Sequence, residues 1–235
     1  MKKKLFQHST IGALMAGMFE GTLPIEELLQ HGNMGIGTFH GLDGELVLID
    51  GIAYQIKVDG SVNEVEPSIN TPYAAVTHFD GEHSIELTTH YSADTFKDKL
   101  VKEFTSENTF QAIQITGAFK KMLCRSVEKQ EEPYRRLVEV AEDQAEFRCD
   151  SIEGTLIGFY TPKIFGAVSV PGFHLHFLSK EKDFGGHVLD FEVEKVLVEW
   201  DEIETLEQHF PLRNKTFMAS EIDYSRLEED IEQAE

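Results

Sequence analysis

The sequence predicts a β-rich α+β fold with its helices mainly in the first half of the chain. Three observations lead there. From Gly35 onward apolar residues recur at a period of two, the spacing of strands with one buried face. Asp-Gly pairs at 43–44, 50–51 and 59–60 punctuate the first of these runs, as hairpin turns do. Clear helical stripes fall before Gly35 and near residue 100, with only short polar pieces of helical character later.

Taken in order, Ile11, Leu14, Met15, Met18 and Phe19 form one apolar stripe, which predicts a helix after Ser9 closed by Gly21. Thr22 can cap a second short helix through Glu26, Leu28 and Leu29, ending near Gly32. The stretches 35–40, 45–49 and 53–58 then read as a β-meander, which 73–79 and 84–91 continue. Ser92 reads as the cap of a helix whose stripe is Phe96, Leu100, Val101 and Phe104. Strand composition returns at 110–119 and 121–127. The polar, partly helical stretch 131–145 contains Pro133 and is the best boundary between halves: an α/β half with the meander over 1–130 and a β-rich half over 131–235. The second half carries strands at 154–160, 165–170, 173–179, 187–193 and 195–200, then a charged tail with a short helix at 225–233.

Composition narrows the partners. The chain has 235 residues, enough to bury a substantial core. Its 42 acidic against 21 basic residues give a net charge of −21, a field that repels nucleic acid and anionic membranes. The same field opposes an anionic substrate, so a site for one must supply local positive charge. Cys124 and Cys149 form neither a Cys-x-x-Cys pair nor a disulfide framework and read as reduced thiols. No apolar h-region follows Met1-Lys2-Lys3-Lys4, and no run of eighteen apolar residues exists, so the expected location is the cytoplasm.

The sharpest chemical feature is Gly172-Phe173-His174-Leu175-His176-Phe177 with Gly185-Gly186-His187. Residues two apart on a strand share a face, so His174 and His176 project together, and a returning strand could bring His187 opposite them. Three neutral imidazoles would leave zinc with open positions, as catalytic sites require. The competing reading is a polar, hydrogen-bonded strand face. Glu45 follows the tight Asp43-Gly44 turn, a rigid place to present a carboxylate, though such turns are ordinarily solvated hairpin tips. Arg125 stands inside a strand and needs an anionic partner, for which a structural ion pair is the plain explanation. Cys124 reads as a structural thiol, His90 as a satisfied core residue, and the tail carboxylates Glu228, Glu229, Asp230, Glu232 and Glu235 as a solvated helix face.

Together these segments resemble the acetolactate decarboxylase family along nearly the whole chain. The resemblance runs from Gln7-His8-Ser9-Thr10-Ile11-Gly12-Ala13-Leu14 through Gly37-Thr38, Asp43-Gly44-Glu45, Asp50-Gly51, Tyr54 and Pro72-Tyr73-Ala74. It continues at 154–159 and is most specific in Pro171–Phe177 and Gly185–Asp190. It implies two β-sheets, mixed and antiparallel, fused into one α/β body that pairs as a homodimer. It also implies zinc held by His174, His176 and His187, with Glu45 and Arg125 at the active site and a further, unassigned glutamate from the tail. The implied reaction is loss of CO2 from 2-acetolactate to give acetoin, with zinc as Lewis acid. Glu45 would be the acid/base or substrate-orienting carboxylate and Arg125 the anchor for the anionic end. Two other readings compete. One is a cupin-like metal enzyme built on His174, His176 and Glu181, against which Val168 and Val188 stand where glycines are expected. The other is a non-enzymatic, zinc-stabilised binding protein.

Overall fold

The structure, a computed structural model, describes residues 2–234; Met1 and Glu235, the last tail carboxylate, lie outside the described residues. The chain opens with β1 (Lys4–His8), α1 (Ile11–Met15), the two-residue β2 (Leu23–Pro24) and α2 (Ile25–Leu28). The meander comprises β3 (Met34–Thr38), β4 (Glu45–Ile49), β5 (Ile52–Ile56) and β6 (Val62–Glu64), followed by β7 (Asn70–Thr71) and β8 (Ala74–Thr77). Next come β9 (His83–Leu87), β10 (Tyr91–Ser92), α3 (Ala93–Val101) and the seventeen-residue β11 (Phe110–Ser126). α4 (Leu137–Ala141) precedes the long strands β12 (Ala145–Thr161), β13 (Gly172–Ser179) and β14 (Gly185–Ile203). The last elements are β15 (Thr205–His209), α5 (Lys215–Ala219) and α6 (Leu227–Ala234).

The β-rich α+β architecture expected from the sequence is present as two main sheets. The seven-stranded sheet runs β15-β1-β8-β3-β4-β5-β6 and is mixed, because β1 lies parallel to β15 and antiparallel to β8. The six-stranded sheet is antiparallel, ordered β10-β14-β11-β12-β13, with β9 also on β14 and the ends of β13 and β14 paired directly. Between the sheets lies an apolar layer to which Val47, Tyr54 and Ile36 contribute from the first and Ile157, Phe159 and Leu178 from the second. The opposite face of the second sheet buries Phe119, Phe177 and Phe191 against Phe96 of α3. Leu175 and Phe177 belong to that outer layer, so alternation turns His174 and His176 toward the first sheet.

Several elements differ from expectation for identifiable reasons. α1 begins after Ser9 as expected, and Thr10 caps it, its hydroxyl accepting from the Ala13 amide at 3.1 Å. The helix stops at Met15 although its apolar stripe continues. Gly17 takes φ +85°, its amide donates to Leu14 O, and the Met18 amide reaches back to Ala13 O, a Schellman ending. Asp50 and Gly51 both have positive φ and close a two-residue hairpin between β4 and β5. Residues 165–170 are not a strand: bounded by Pro162 and Pro171, they coil from a 3-10 turn, and Val168 O accepts from the Ile11 amide. The stretches 110–119 and 121–127 are one strand with a register shift at Phe119–Lys121, a bulge that periodicity reads as a break. His90 is not a core residue; it is exposed and pairs with Glu192 at 2.7 Å. In the tail, Glu228, Glu229 and Glu232 are exposed as expected, but Asp230 is buried against Arg136. No helix among the described residues is long and apolar enough to cross a membrane.

Lys3 is built into the body by ion pairs. Lys3 is buried, and its ammonium reaches Asp201 at 2.9 Å and Asp80 at 2.6 Å. Asp201 is fully buried on β14 and also accepts from the amides of Asp80 and Glu82. Burial alone would raise its pKa, but these donors outweigh that and hold it below the usual carboxylate value. A carboxylate depressed in the fold contributes its full stability above its unfolded pKa of about 3.9, and loses it as pH falls through the folded value. Asp201→Asn should therefore lower stability at pH 7 by about 2 kcal/mol, and the gap to wild type should narrow below about pH 4. Urea midpoints measured from pH 7 to pH 3 test this; a gap independent of pH would refute it.

A buried three-histidine site between the sheets

β13 and β14 form a hairpin in which His176 is the direct cross-strand partner of His187. His174 lies two residues back on the same face of β13. All three rings are buried, and their centroids stand 5.0 to 5.4 Å apart. One ligand atom from each lies within 4.8 Å of the others, a group that could hold a metal ion. The glycines before His187 make this approach possible. A Cβ on Gly185 would sit 2.4 Å from Phe177 O, and one on Gly186 would sit 2.5 Å from Arg125 O. Side chains there would push β14 off its neighbours.

β11 brings Arg125 opposite His187 on the other edge of β14. The first sheet supplies Glu45, the first residue of β4, paired in register with Thr38 of β3. The turn ahead of Glu45 is held from two sides. Thr38 Oγ1 donates to Gly44 O at 2.7 Å, and the Gln55 side-chain amide donates to Asp43 O at 2.5 Å. Gly44 has φ +83°, and a Cβ there would meet Ile56 O at 2.2 Å, so the turn requires glycine. Glu45 is consequently not a solvated hairpin tip. It is buried, 3.5 Å from His176 Nε2 and 3.6 Å from Arg125 Nη1. Glu181, the carboxylate of the cupin-like reading, sits exposed in the turn between β13 and β14.

The imidazoles have the electronic state a metal requires. Burial drives the His174 pKa down to about 3, with the Arg125 charge adding to it, and holds His176 well below the usual value. Both are therefore neutral at pH 7. Nδ1 of His176 lies 2.8 Å from Leu46 O, so it carries the proton and Nε2 presents its lone pair. That Nε2 is buried and has no hydrogen-bond partner among the described residues. A lone pair aimed toward the other two histidines fits a metal ion better than a hydrogen-bonded strand face. Cys124, next to Arg125, stays a buried thiol whose pKa is pushed up by burial and then by Glu45.

These groups line a cavity of about 30 Å³, room for a water-sized occupant. Its apolar lining is Leu14, Leu42, Val127 and Leu137, which share one buried cluster with Tyr73, and Thr38 also lines it. No spacing rule singles out Thr38, Tyr73 or the apolar four, because each looks like ordinary core or strand until the sheets are packed.

The comparisons with known proteins agree along the whole fold. A family model described as alpha-acetolactate decarboxylase matches residues 5–224. An alpha-acetolactate decarboxylase of Lactococcus lactis subsp. cremoris is 42% identical over 232 residues, covering 99% of this chain and 98% of the relative. A crystal structure of acetolactate decarboxylase from Bacillus subtilis subspecies spizizenii superposes with a TM-score of 0.97 at 33% identity, covering 99% of this chain and 100% of that one. A Staphylococcus aureus protein, described as similar to alpha-acetolactate decarboxylase, gives 0.96 at 44% identity, with 99% and 100% covered.

The site is capped by α6. Its Leu227, Ile231 and Ala234 join Leu14, Leu137 and Val140 in one apolar cluster. Arg125 Nη2 donates to Ala234 O at 2.7 Å, and the Arg136 guanidinium pairs with the buried Asp230. Asp230→Ala removes one of these ties. It should speed amide exchange over 227–234 by about tenfold or more, while β11 and β14 keep their protection. Equal loss of protection in the strands would mean that α6 is part of the global unfolding unit.

Proposed function

The chain belongs to the alpha-acetolactate decarboxylase family, and on that basis we propose that it converts 2-acetolactate to acetoin and CO2 using zinc on His174, His176 and His187, with Glu45 and Arg125 as its catalytic side chains. The observation that carries the metal assignment is the buried Nε2 of His176, its proton committed to Leu46 O on the far side of the ring. Among the described residues the candidate ligand group is three imidazoles, which suits a catalytic zinc with open positions. Zinc held there would supply Lewis acidity to the substrate's ketone oxygen, where negative charge builds as CO2 leaves.

The remaining chemistry falls to the protein. Arg125 gives the acidic molecule the local positive charge that an anionic substrate needs. Its guanidinium is already engaged by Ala234 O and lies near Glu45, so its hold on the substrate carboxylate is shared rather than exclusive. That is favourable, because a carboxylate gripped too well would be stabilised in the ground state and CO2 loss would slow. Cleavage leaves the bonding electrons on the substrate as an enediolate, and one carbon must then gain a proton. Glu45, fixed by its turn and excluded from bulk water, is positioned to deliver that proton to one face and so give a single enantiomer. A homodimer is part of this reading, on the resemblance to the family.

Acetoin formation from racemic 2-acetolactate by protein as isolated, stripped by chelator and restored with zinc tests the proposal. Activity should disappear on stripping and return with zinc; well-folded, zinc-loaded protein that makes no acetoin would sink it. Glu45→Gln should lower kcat by about 10²-fold or more and Arg125→Ala should lower kcat/KM, both with zinc content unchanged by elemental analysis. His176→Ala should lose the metal. Zinc lost from the Glu45 or Arg125 variant would move that residue into the metal site.

A further inference from the structure

The apolar wall of the cavity is the feature that the proposed chemistry leaves without a task. Val127 stands two residues beyond Arg125 as the chain leaves β11, a spacing that keeps both on one face of an extended backbone. Leu137 is the first residue of α4, directly after Arg136, whose guanidinium ties α6 in place. Both are buried, and both belong to the cluster that α6 covers with Leu227 and Ile231. The wall therefore has packed protein behind it rather than solvent.

Resting on the decarboxylase reading, we propose that Val127 and Leu137 are the specificity-determining residues that limit the alkyl group on the substrate's hydroxyl-bearing carbon. A 2-hydroxy-3-oxo acid carries its carboxylate, hydroxyl and ketone on one side of two adjacent carbons. With those oxygens turned to the histidines, Glu45 and Arg125, its alkyl groups have the apolar wall to meet. The cavity of about 30 Å³ leaves little free room beside that wall. Each further methylene must displace the same two side chains against α6, and their volume sets how steeply selectivity falls with alkyl length. Leu14 and Leu42 complete the wall, but they come from α1 and a 3-10 turn, away from Arg125 and its strand.

The test is a competition between 2-acetolactate, which carries a methyl group, and its 2-ethyl homologue, read as the ratio of their kcat/KM values. Val127→Ala and Leu137→Ala should each shift that ratio about tenfold toward the ethyl substrate, the usual worth of one methylene in an apolar pocket. Val127→Leu, which keeps the wall filled, should shift it the other way. Val140→Ala provides the structural control: Val140 is buried in the same cluster and on the same helix as Leu137 but does not line the cavity. Its ratio should stay at the wild-type value. Ratios at Val127 and Leu137 that move no further than in the Val140 variant would overturn the assignment while leaving the decarboxylase intact. Wild-type protein inactive on both substrates would remove the underlying reading instead, so the two failures are separable.

Discussion

One hydrogen bond joins the two sheets at the point where chemistry is to happen: Nδ1–H of His176, on β13, donates to Leu46 O, on β4. It satisfies a buried ring N–H, and it fixes the tautomer of the ring. It also sets the distance between a histidine of the second sheet and Glu45, the residue before Leu46 in the first. A shift of one sheet over the other would move the ring off Glu45 and leave its buried N–H unpaired. A second tie, Ser126 Oγ to Ile56 O at 3.0 Å, makes the same join from the end of β11. The site is thus an interface between two rigid bodies, not a decorated loop.

Much of this was legible before any coordinates. The histidine spacing on one strand and the Gly-Gly before His187 pointed to a shared face, because period-two geometry is local and glycine marks close backbone approach. The strands that were half-buried and bounded by Asp-Gly turns were readable for the same reason. What could not be read were relations across the chain. The burial of Glu45 depends on packing the meander against a sheet drawn from much later residues, and an Asp-Gly-Glu turn looks solvated without it. β1 and β15 escaped notice because each is short and carries charged residues, and their pairing is parallel across some two hundred positions. Asp230 reads as one more acidic residue in an acidic tail until Arg136 is seen beneath it.

The charge distribution reconciles an acidic molecule with an anionic substrate. A net charge of −21 is spread over the chain, much of it on exposed surface such as the face of α6, where water and salt screen it. Arg125 and His174, His176 and His187 are buried, so the guanidinium acts there with little screening, with Glu45 as its counter-charge. Burial does double duty there. It keeps His174 and His176 unprotonated, and it excludes the water that would weaken polar contacts to a bound anion.

The parallel pairing of Lys4–His8 with Thr205–His209 bears on how the protein comes into being at the ribosome. The outermost strand of the first sheet emerges some two hundred residues after the strand on which it docks. Until then β1 has an open edge, and its buried His8 lacks the partner it meets at 2.9 Å in His209. A nascent chain therefore carries the meander and its turns, whose contacts are local, well before it can close that sheet. The final steps of folding bring together residues from opposite ends of the sequence, which makes folding slow for a chain of this size. During that interval the unpaired edge of β1 is the surface on which aggregation would begin, and the lysines at 2, 3 and 4 beside it are placed to discourage it.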